Sequence, residues 1–279
     1  MATPYGEITN NHFYPQKSSH FSFYSMQILL SCAKDMAAQA TKYKKMSATQ
    51  PLFQEYAEQL ASYMVKYSSD ELAKILKINS KIAFQNWLRY QNFIIPEDFS
   101  SAAWAFTGMA YKHLKANEWT KKEVDFAQKH LWITSFLYGI LRPLDDIKHH
   151  RLEGAVRLPE LNDRRVFDFW KPLLTESFIE SIKNDDGILL NLASEEMKDL
   201  FDWKRVLQEI KVIEPQFMVR RGNQYKTVVV YAKMCRGAMA HHVISNAIRQ
   251  PQQLLHFEYE GFAYQPALGD DSNPVFTIG

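Results

Sequence analysis

The sequence predicts an α+β fold: a single compact domain with a mixed central sheet flanked by helices, including a helix-hairpin-helix element. Three observations lead there. Short, continuously apolar runs bounded by turn residues, at 27–31, 131–138 and 188–192, read as buried strands. Segments between them carry apolar residues at helical spacing behind capping signals. Helices and strands do not alternate regularly, which argues against a doubly wound fold, and no Ser/Pro/Gly-rich linker divides the 279 residues.

The elements follow in order. Residues 1–25 show no period and are expected to be a poorly ordered N-terminal extension, with the folded domain over 26–279. Ser68 and Glu71 form a capping box, and Leu72, Ile75 and Leu76 then fall at i, i+3 and i+4. Asn79 breaks that helix. Ser80 is expected to cap a second one carrying Ala83, Trp87 and Leu88 inward. Thr120 and Glu123 open a helix through His130 with Val124, Phe126, Ala127 and Leu131 as its apolar set. The strand at 131–138 ends in Gly139 and an Arg142-Pro143-Leu144-Asp145 turn. Asp185-Asp186-Gly187 turns into the strand at 188–192, and a helix starts at Ser194 with Glu195 and Glu196 in its first turn. Residues 212–220 and 225–231 flank Arg221-Gly222-Asn223 as a hairpin, followed by a helix over 232–248. A last strand at 261–265 leads to the Asp270-Asp271-Ser272-Asn273 loop.

Composition narrows the function. The chain is 46% hydrophobic, so it can bury a sizeable core. With 33 Lys+Arg against 31 Asp+Glu, a bulk polyanion binder is excluded and only a local basic patch could hold nucleic acid. That patch has a place: residues 26–95 hold nine Lys/Arg against five Asp/Glu. Two cysteines rule out a disulfide framework and point to a reducing compartment. The longest apolar run, 131–141, is about half of what a bilayer span needs. Leu29-Leu30-Ser31-Cys32 resembles a lipoprotein cleavage site, but the apolar stretch before it is shorter than the roughly 7–15 residues of a signal core. No membrane association is expected.

Several motifs then fall in one order. Gln27-Ile28-Leu29-Leu30-Ser31-Cys32-Ala33-Lys34 resembles the opening strand and S-P-A-K of the YaaA family of peroxide-stress proteins. Phe106-Thr107-Gly108-Met109-Ala110-Tyr111 is similar to its F-x-G-D-V-Y, and residues 137–145 match its L-Y-G-x-L-R-P-L-D. Arg151-Leu152-Glu153, Phe169-Trp170, Asn191-Leu192-Ala193-Ser194-Glu195-Glu196 and Tyr231-Ala232-Lys233 with Arg236-Gly237 complete the series. The resemblance implies a cytoplasmic bacterial protein that binds DNA through a helix-hairpin-helix and a basic cleft, and that limits damage during hydroperoxide stress. Cys32 stands in place of the motif's Pro, Met109 in place of its Asp, and Met234-Cys235 in place of a Lys-Ala pair.

Two constellations carry the candidate chemistry. On the helical pair, Lys74, Lys77 and Lys81 would supply charge, while Asn79 and Ser80 form the turn and the amino end of the second helix, where a phosphate could sit. The same lysines also fit an ordinary solvated face. The expected partner is double-stranded DNA bound without sequence preference. The second set is Ser31, Lys34, Arg142, Asp145, Arg151, Lys233 and Arg236. Ser31 and Lys34 end a strand, where open sheets place functional groups. Lys233 and Arg236 lie three apart on one helix face, opposing the helix dipole, as suits cations that hold an anion between them. An anion pocket is the expectation, with Arg142 as forked donor oriented by Asp145, Gly237 admitting the ligand, and a structural ion-pair network as the competing reading. As an enzyme on a phosphorylated or other anionic small molecule, the chain would use Ser31 as nucleophile, Lys34 as base and Tyr111 as proton donor. No cofactor and no metal is expected, because His241 and His242 diverge by about 100° on a helix and His149 could converge with Glu153 only if that loop coils. Cys32 and Cys235 read as buried thiols or as a peroxide-sensing pair. Among the aromatics, only Trp87, Tyr90 and Phe93 are candidates for a nucleic-acid stacking surface.

Overall fold

Every side chain of β1 (Gln27–Leu30) is buried, as befits a strand covered on both faces. A computed structural model describes residues 25–39, 41–95 and 98–279. The expected extension up to residue 24 lies outside them, but Ser25 already belongs to the fold. It is buried, and its N–H donates to Asp185 Oδ1 at 2.8 Å.

From β1 the chain runs through α1 (Gln54–Met64), α2 (Ser69–Leu76) and α3 (Ser80–Gln91). Next come β2 (Ser100–Ser101), α4 (Ala102–Ala105), α5 (Met109–Leu114) and α6 (Lys121–His130). It then enters β3 (Leu131–Ser135), β4 (Gly139–Leu141), β5 (Asp146–Ile147), α7 (Val166–Lys183) and β6 (Ile188–Leu192). The remainder is α8 (Trp203–Glu209), β7 (Lys211–Ile213), β8 (Gln216–Arg221), β9 (Gln224–Lys226), α9 (Val229–Ser245), β10 (Ala263–Gly269) and β11 (Pro274–Ile278). The central sheet has the order β4-β3-β1-β6-β7. β1 pairs in parallel with β3 on one side and β6 on the other, β7 extends the parallel set, and β4 folds back antiparallel. A second sheet, β10-β11-β8-β9, packs Phe217 and Phe276 against Phe257. The α+β reading with a mixed central sheet in one compact fold stands.

Both capping boxes are present: Ser68 with Glu71 opens α2, and Thr120 with Glu123 opens α6. Elsewhere the structure departs from expectation. The apolar run at 131–138 is not one strand. Ser135 Oγ accepts the N–H groups of Leu137 and Tyr138, closing a turn that starts β4. Gly139 follows with φ +74°, and a Cβ there would come within 2.8 Å of Leu174 and 2.9 Å of Trp170. The expected strand at 212–220 breaks at Pro215, which cannot donate to a ladder, into β7 and β8 of different sheets. The strand at 225–231 stops at Lys226, because Val229 already starts α9. The last strand runs to Gly269 and pairs with the unforeseen β11. Helices α1, α4, α5, α7 and α8 lie where the sequence predicts none.

The turn between α2 and α3 differs in detail. Lys77, with φ 53°, takes the left-handed conformation, while Asn79 is extended. Asn79, rather than Ser80, caps α3 by accepting the Ile82 N–H at 2.9 Å. Its inward face carries Ala83, Asn86 and Tyr90, leaving Leu88 exposed.

Candidate functional site

β1 is the point at which the sheet's connections part. The chain leaves it for β3 on one side and later returns to β6 on the other, so the loops beyond the ends of β1 and β6 diverge and leave a crevice. A cleft of about 570 Å³ lies there. Its lining takes in Ser31, Cys32 and Lys34 after β1, Ser194 and Met197 after β6, Tyr111 on α5, Arg151, and Lys233 and Arg236 on α9.

The floor is tied by hydrogen bonds. Ser31 Oγ accepts the Ser194 N–H at 2.8 Å, joining the loops after β1 and β6. The Tyr111 hydroxyl donates to the Ser31 carbonyl at 3.0 Å, and the Cys32 N–H donates to Thr134 Oγ1 at 3.1 Å. Burial holds the Tyr111 phenol well above its ordinary range. Ser31, Lys34 and Tyr111 therefore do not assemble as nucleophile, base and acid. Lys34 Nζ instead pairs with Glu153 Oε2 at 3.0 Å.

Glu153 also holds Arg151, through Oε1 to Nη2 at 3.2 Å, and Asp35 lies 3.9 Å from the same guanidinium. The backbone of Arg151 is pinned by α3: Asn86 Oδ1 accepts its N–H, and Asn86 Nδ2 and the Tyr90 hydroxyl donate to its carbonyl. Two of the expected cations are thus neutralised at the rim. The other two are not. Arg236 is half-buried, and its guanidinium makes no hydrogen bond or ion pair among the described residues. Burial pushes its pKa down, with Glu214 and Glu195 pulling it back up electrostatically. Lys233, one turn earlier on the same face, is exposed and equally free of an ion-pair partner among the described residues. An Arg that is partly desolvated yet unsatisfied costs free energy that an incoming anion would recover.

Gly237 serves packing rather than ligand access. A Cβ there would sit 1.9 Å from the Ala110 carbonyl oxygen, so the glycine is what lets α9 lie against α5. That contact brings Tyr111 and Arg236 to the same cleft.

Arg142 and Asp145 do not belong to the cleft. Arg142 Nη1 donates to the Lys129 carbonyl at 3.0 Å and to Gln27 Oε1 at 3.4 Å, and the guanidinium stacks on Trp132 with its centre 3.2 Å from the ring centroid. Gln27 begins β1 and Ser31 follows its end, which separates the two places by about 13 Å along the strand. Asp145 accepts the Thr49 hydroxyl at 2.6 Å and the Arg142 backbone N–H at 2.7 Å, so it shapes the turn rather than orienting the guanidinium. Burial lifts its pKa to about 6 and lowers that of Arg142 to about 9.

Lys74, Lys77 and Lys81 are exposed on the α2–α3 pair and make no ion pair among the described residues, though Lys74 lies near enough to Glu71 to steady its charge, and none of them lines the cleft. Tyr90 and Phe93 are buried, which removes them as stacking candidates, while Phe84 is exposed and stacks on the half-buried Trp87. Burial pushes both cysteine thiols up to about 12, and Glu196 and Glu153 push Cys32 further in the same direction. Neither is a ready thiolate. No group of three or more His, Cys, Asp or Glu converges as a metal-ligand set among the described residues. Nor is any helix among them long and apolar enough to cross a membrane.

Nothing in the sequence singles out Asn86, Glu153 is visible there only within the Arg151-Leu152-Glu153 motif and near His149, and Ser194 only as a helix start that follows β6 as Ser31 follows β1.

Comparison with known proteins places this architecture. A family model described as "Peroxide stress protein YaaA" matches residues 26–268. A UPF0246 protein of Phocaeicola vulgatus is 46% identical over 254 residues, covering 91% of this chain and 99% of that protein. A UPF0246 protein of Bacteroides thetaiotaomicron is 45% identical over 257 residues, with the same coverage of 91% and 99%. One from Porphyromonas gingivalis is 40% identical over 255 residues, covering 91% of this chain and 100% of its own.

Proposed function

The chain belongs to the peroxide stress protein YaaA family, and from that premise we propose that it binds DNA through the phosphate backbone, without reading sequence, in protection against hydroperoxide stress. One observation carries this reading: its candidate cations lack carboxylate partners among the described residues, both in the cleft at Lys233 and Arg236 and on the helical pair at Lys74, Lys77 and Lys81. Cations without internal partners are free to replace the counterions of a polyanion. On the helical pair the lysine charges act as point contacts beside the start of α3, where Asn79 already satisfies the Ile82 N–H. Contacts of this kind position a protein on DNA and carry no base information.

The test is a salt series of binding to a short duplex. Replacing Lys74, Lys77 and Lys81 together with glutamate is expected to weaken binding by roughly tenfold or more at low salt. It should also flatten the log–log salt dependence by roughly three, about one unit per lost phosphate contact. The three residues are exposed, so the thermal unfolding transition should not move. An unchanged salt slope would remove the helical pair from the interface.

A second reading is favoured by the size of the cleft. At about 570 Å³ it falls within the roughly 300–1,000 Å³ typical of small-molecule sites, too small to enclose a duplex, whose phosphates would reach only its mouth, and suited to one phosphate-bearing molecule.

A further inference from the structure

The lining of the cleft combines two kinds of chemistry. Helix α9 contributes Arg236 and Lys233, one helical turn apart and without an ion-pair partner among the described residues. The floor is apolar, built from Phe106, Phe136, Leu30 and Met197. Its rings are held by packing: Phe106 lies 5.4 Å from Tyr111 and 6.3 Å edge-on from His150, and Phe136 packs edge-on to Phe167 at 5.5 Å. His150 at this floor is kept neutral, since burial lowers its pKa to about 4. A bare inorganic anion would use the cations and leave the apolar lining wet. A purely apolar ligand would leave the guanidinium unsatisfied.

Resting on the reading of the cleft as a phosphate seat, we infer that its ligand is a single nucleotide unit, with the phosphate at Arg236 and Lys233 and the base over the ring-lined floor. Two groups of opposite character on one small molecule match the two kinds of lining, and the volume admits one such unit rather than a stacked strand. The unit comes either from a free mononucleotide or from the phosphorylated end of a nucleic-acid strand. Aromatic and apolar walls suit any base, because every base has a π-face. Two polar groups beside the floor are already engaged. His150 Nδ1 is engaged with the Lys148 carbonyl, and the Tyr111 hydroxyl with that of Ser31. Discrimination among bases is therefore expected to be weak.

The experiment is a calorimetric titration of the full chain with inorganic phosphate, ribose 5-phosphate, deoxyadenosine, deoxyadenosine monophosphate, and a trinucleotide with and without a 5′-phosphate. Affinity is expected to rise from phosphate to sugar phosphate to nucleotide, with the nucleoside binding at least tenfold more weakly than the nucleotide. Arg236→Ala should lose roughly tenfold or more for every phosphorylated ligand and little for the nucleoside. Should that variant unfold, Lys233→Ala at the exposed mouth is expected to show the same pattern at smaller size. The Lys74/Lys77/Lys81 glutamate variant should bind the mononucleotide normally. A preference for the 5′-phosphorylated trinucleotide over the free nucleotide assigns the ligand to a strand end, and the reverse to a soluble nucleotide. If inorganic phosphate binds as tightly as the nucleotide, the apolar floor is unused and this inference fails while the phosphate seat stands. If no phosphorylated ligand binds, both fall.

Discussion

Arg236 and Glu153 show how two residues divide the cations of one cleft. Glu153 is mostly buried and holds Lys34 and Arg151, so their charge is spent on the fold. Arg236 has no such partner among the described residues and keeps its donors for a ligand. His150 behind them makes a stability prediction. Its ring lies 5.3 Å from Tyr138 and 6.3 Å from Phe106, and burial lowers its pKa from the ordinary 6.5 to about 4, with Arg89 and His149 also disfavouring the charge. The unfolded chain takes up this proton first. The stability linked to neutral His150 is therefore complete above pH 6.5 and is lost as pH falls through about 4, amounting to about 3 kcal/mol. Asp145, with its raised pKa, works in the opposite sense over an overlapping range, so the wild-type curve alone understates the effect. Urea unfolding of His150→Gln across pH 4 to 7 should converge on wild type as the pH falls. Parallel curves would show that another group carries the acid sensitivity.

Among the elements, α5 and α9 form the contact on which the cleft depends. Gly237→Ala would drive a methyl group into the Ala110 carbonyl, where a Cβ stands 1.9 Å from the oxygen, and backbone cannot give way as a side chain can. The expected cost is about 3 kcal/mol, comparable to severe overpacking, read as a lowered denaturant midpoint with phosphate binding weakened alongside. A neutral variant would mean that the two helices have room to separate. This is also where the limits of sequence reading become physical. Capped helices α2 and α6 and the buried runs of β1 and β6 were legible because each carries its own signal. The break at Ser135 was not, since a serine accepting two backbone N–H groups looks like any polar residue in a strand. Helix α7 stayed hidden because it is buried around much of its circumference, from Phe167 and Trp170 to Phe178 and Ile179, which erases helical periodicity. The strand read through Glu214 and Pro215 failed on a single missing N–H.

For the whole molecule, the site depends on gathering. Ser31, Lys34, Arg151, Lys233 and Arg236 are drawn from across two hundred positions of sequence to the carboxyl ends of β1 and β6. Sequence named all five. It could not show that Arg142 and Asp145 lie at the other end of β1, because strand order, and with it which end faces which, is a tertiary property. It also could not tell which cations are free, since Glu153 pairs with its near neighbour Arg151 and with the sequence-distant Lys34 but not with Arg142, a choice made only in three dimensions. The α2–α3 lysines stand outside the cleft, so the account has two separable basic regions on one fold. The most direct test is fluorescence anisotropy of a labelled short duplex at low salt, comparing wild type with the Lys233→Ala/Arg236→Ala double variant. Cations held open for phosphate predict about a tenfold or greater loss of affinity with an unmoved unfolding transition. Affinities within about twofold of each other would contradict the cleft's role as the anion seat for DNA.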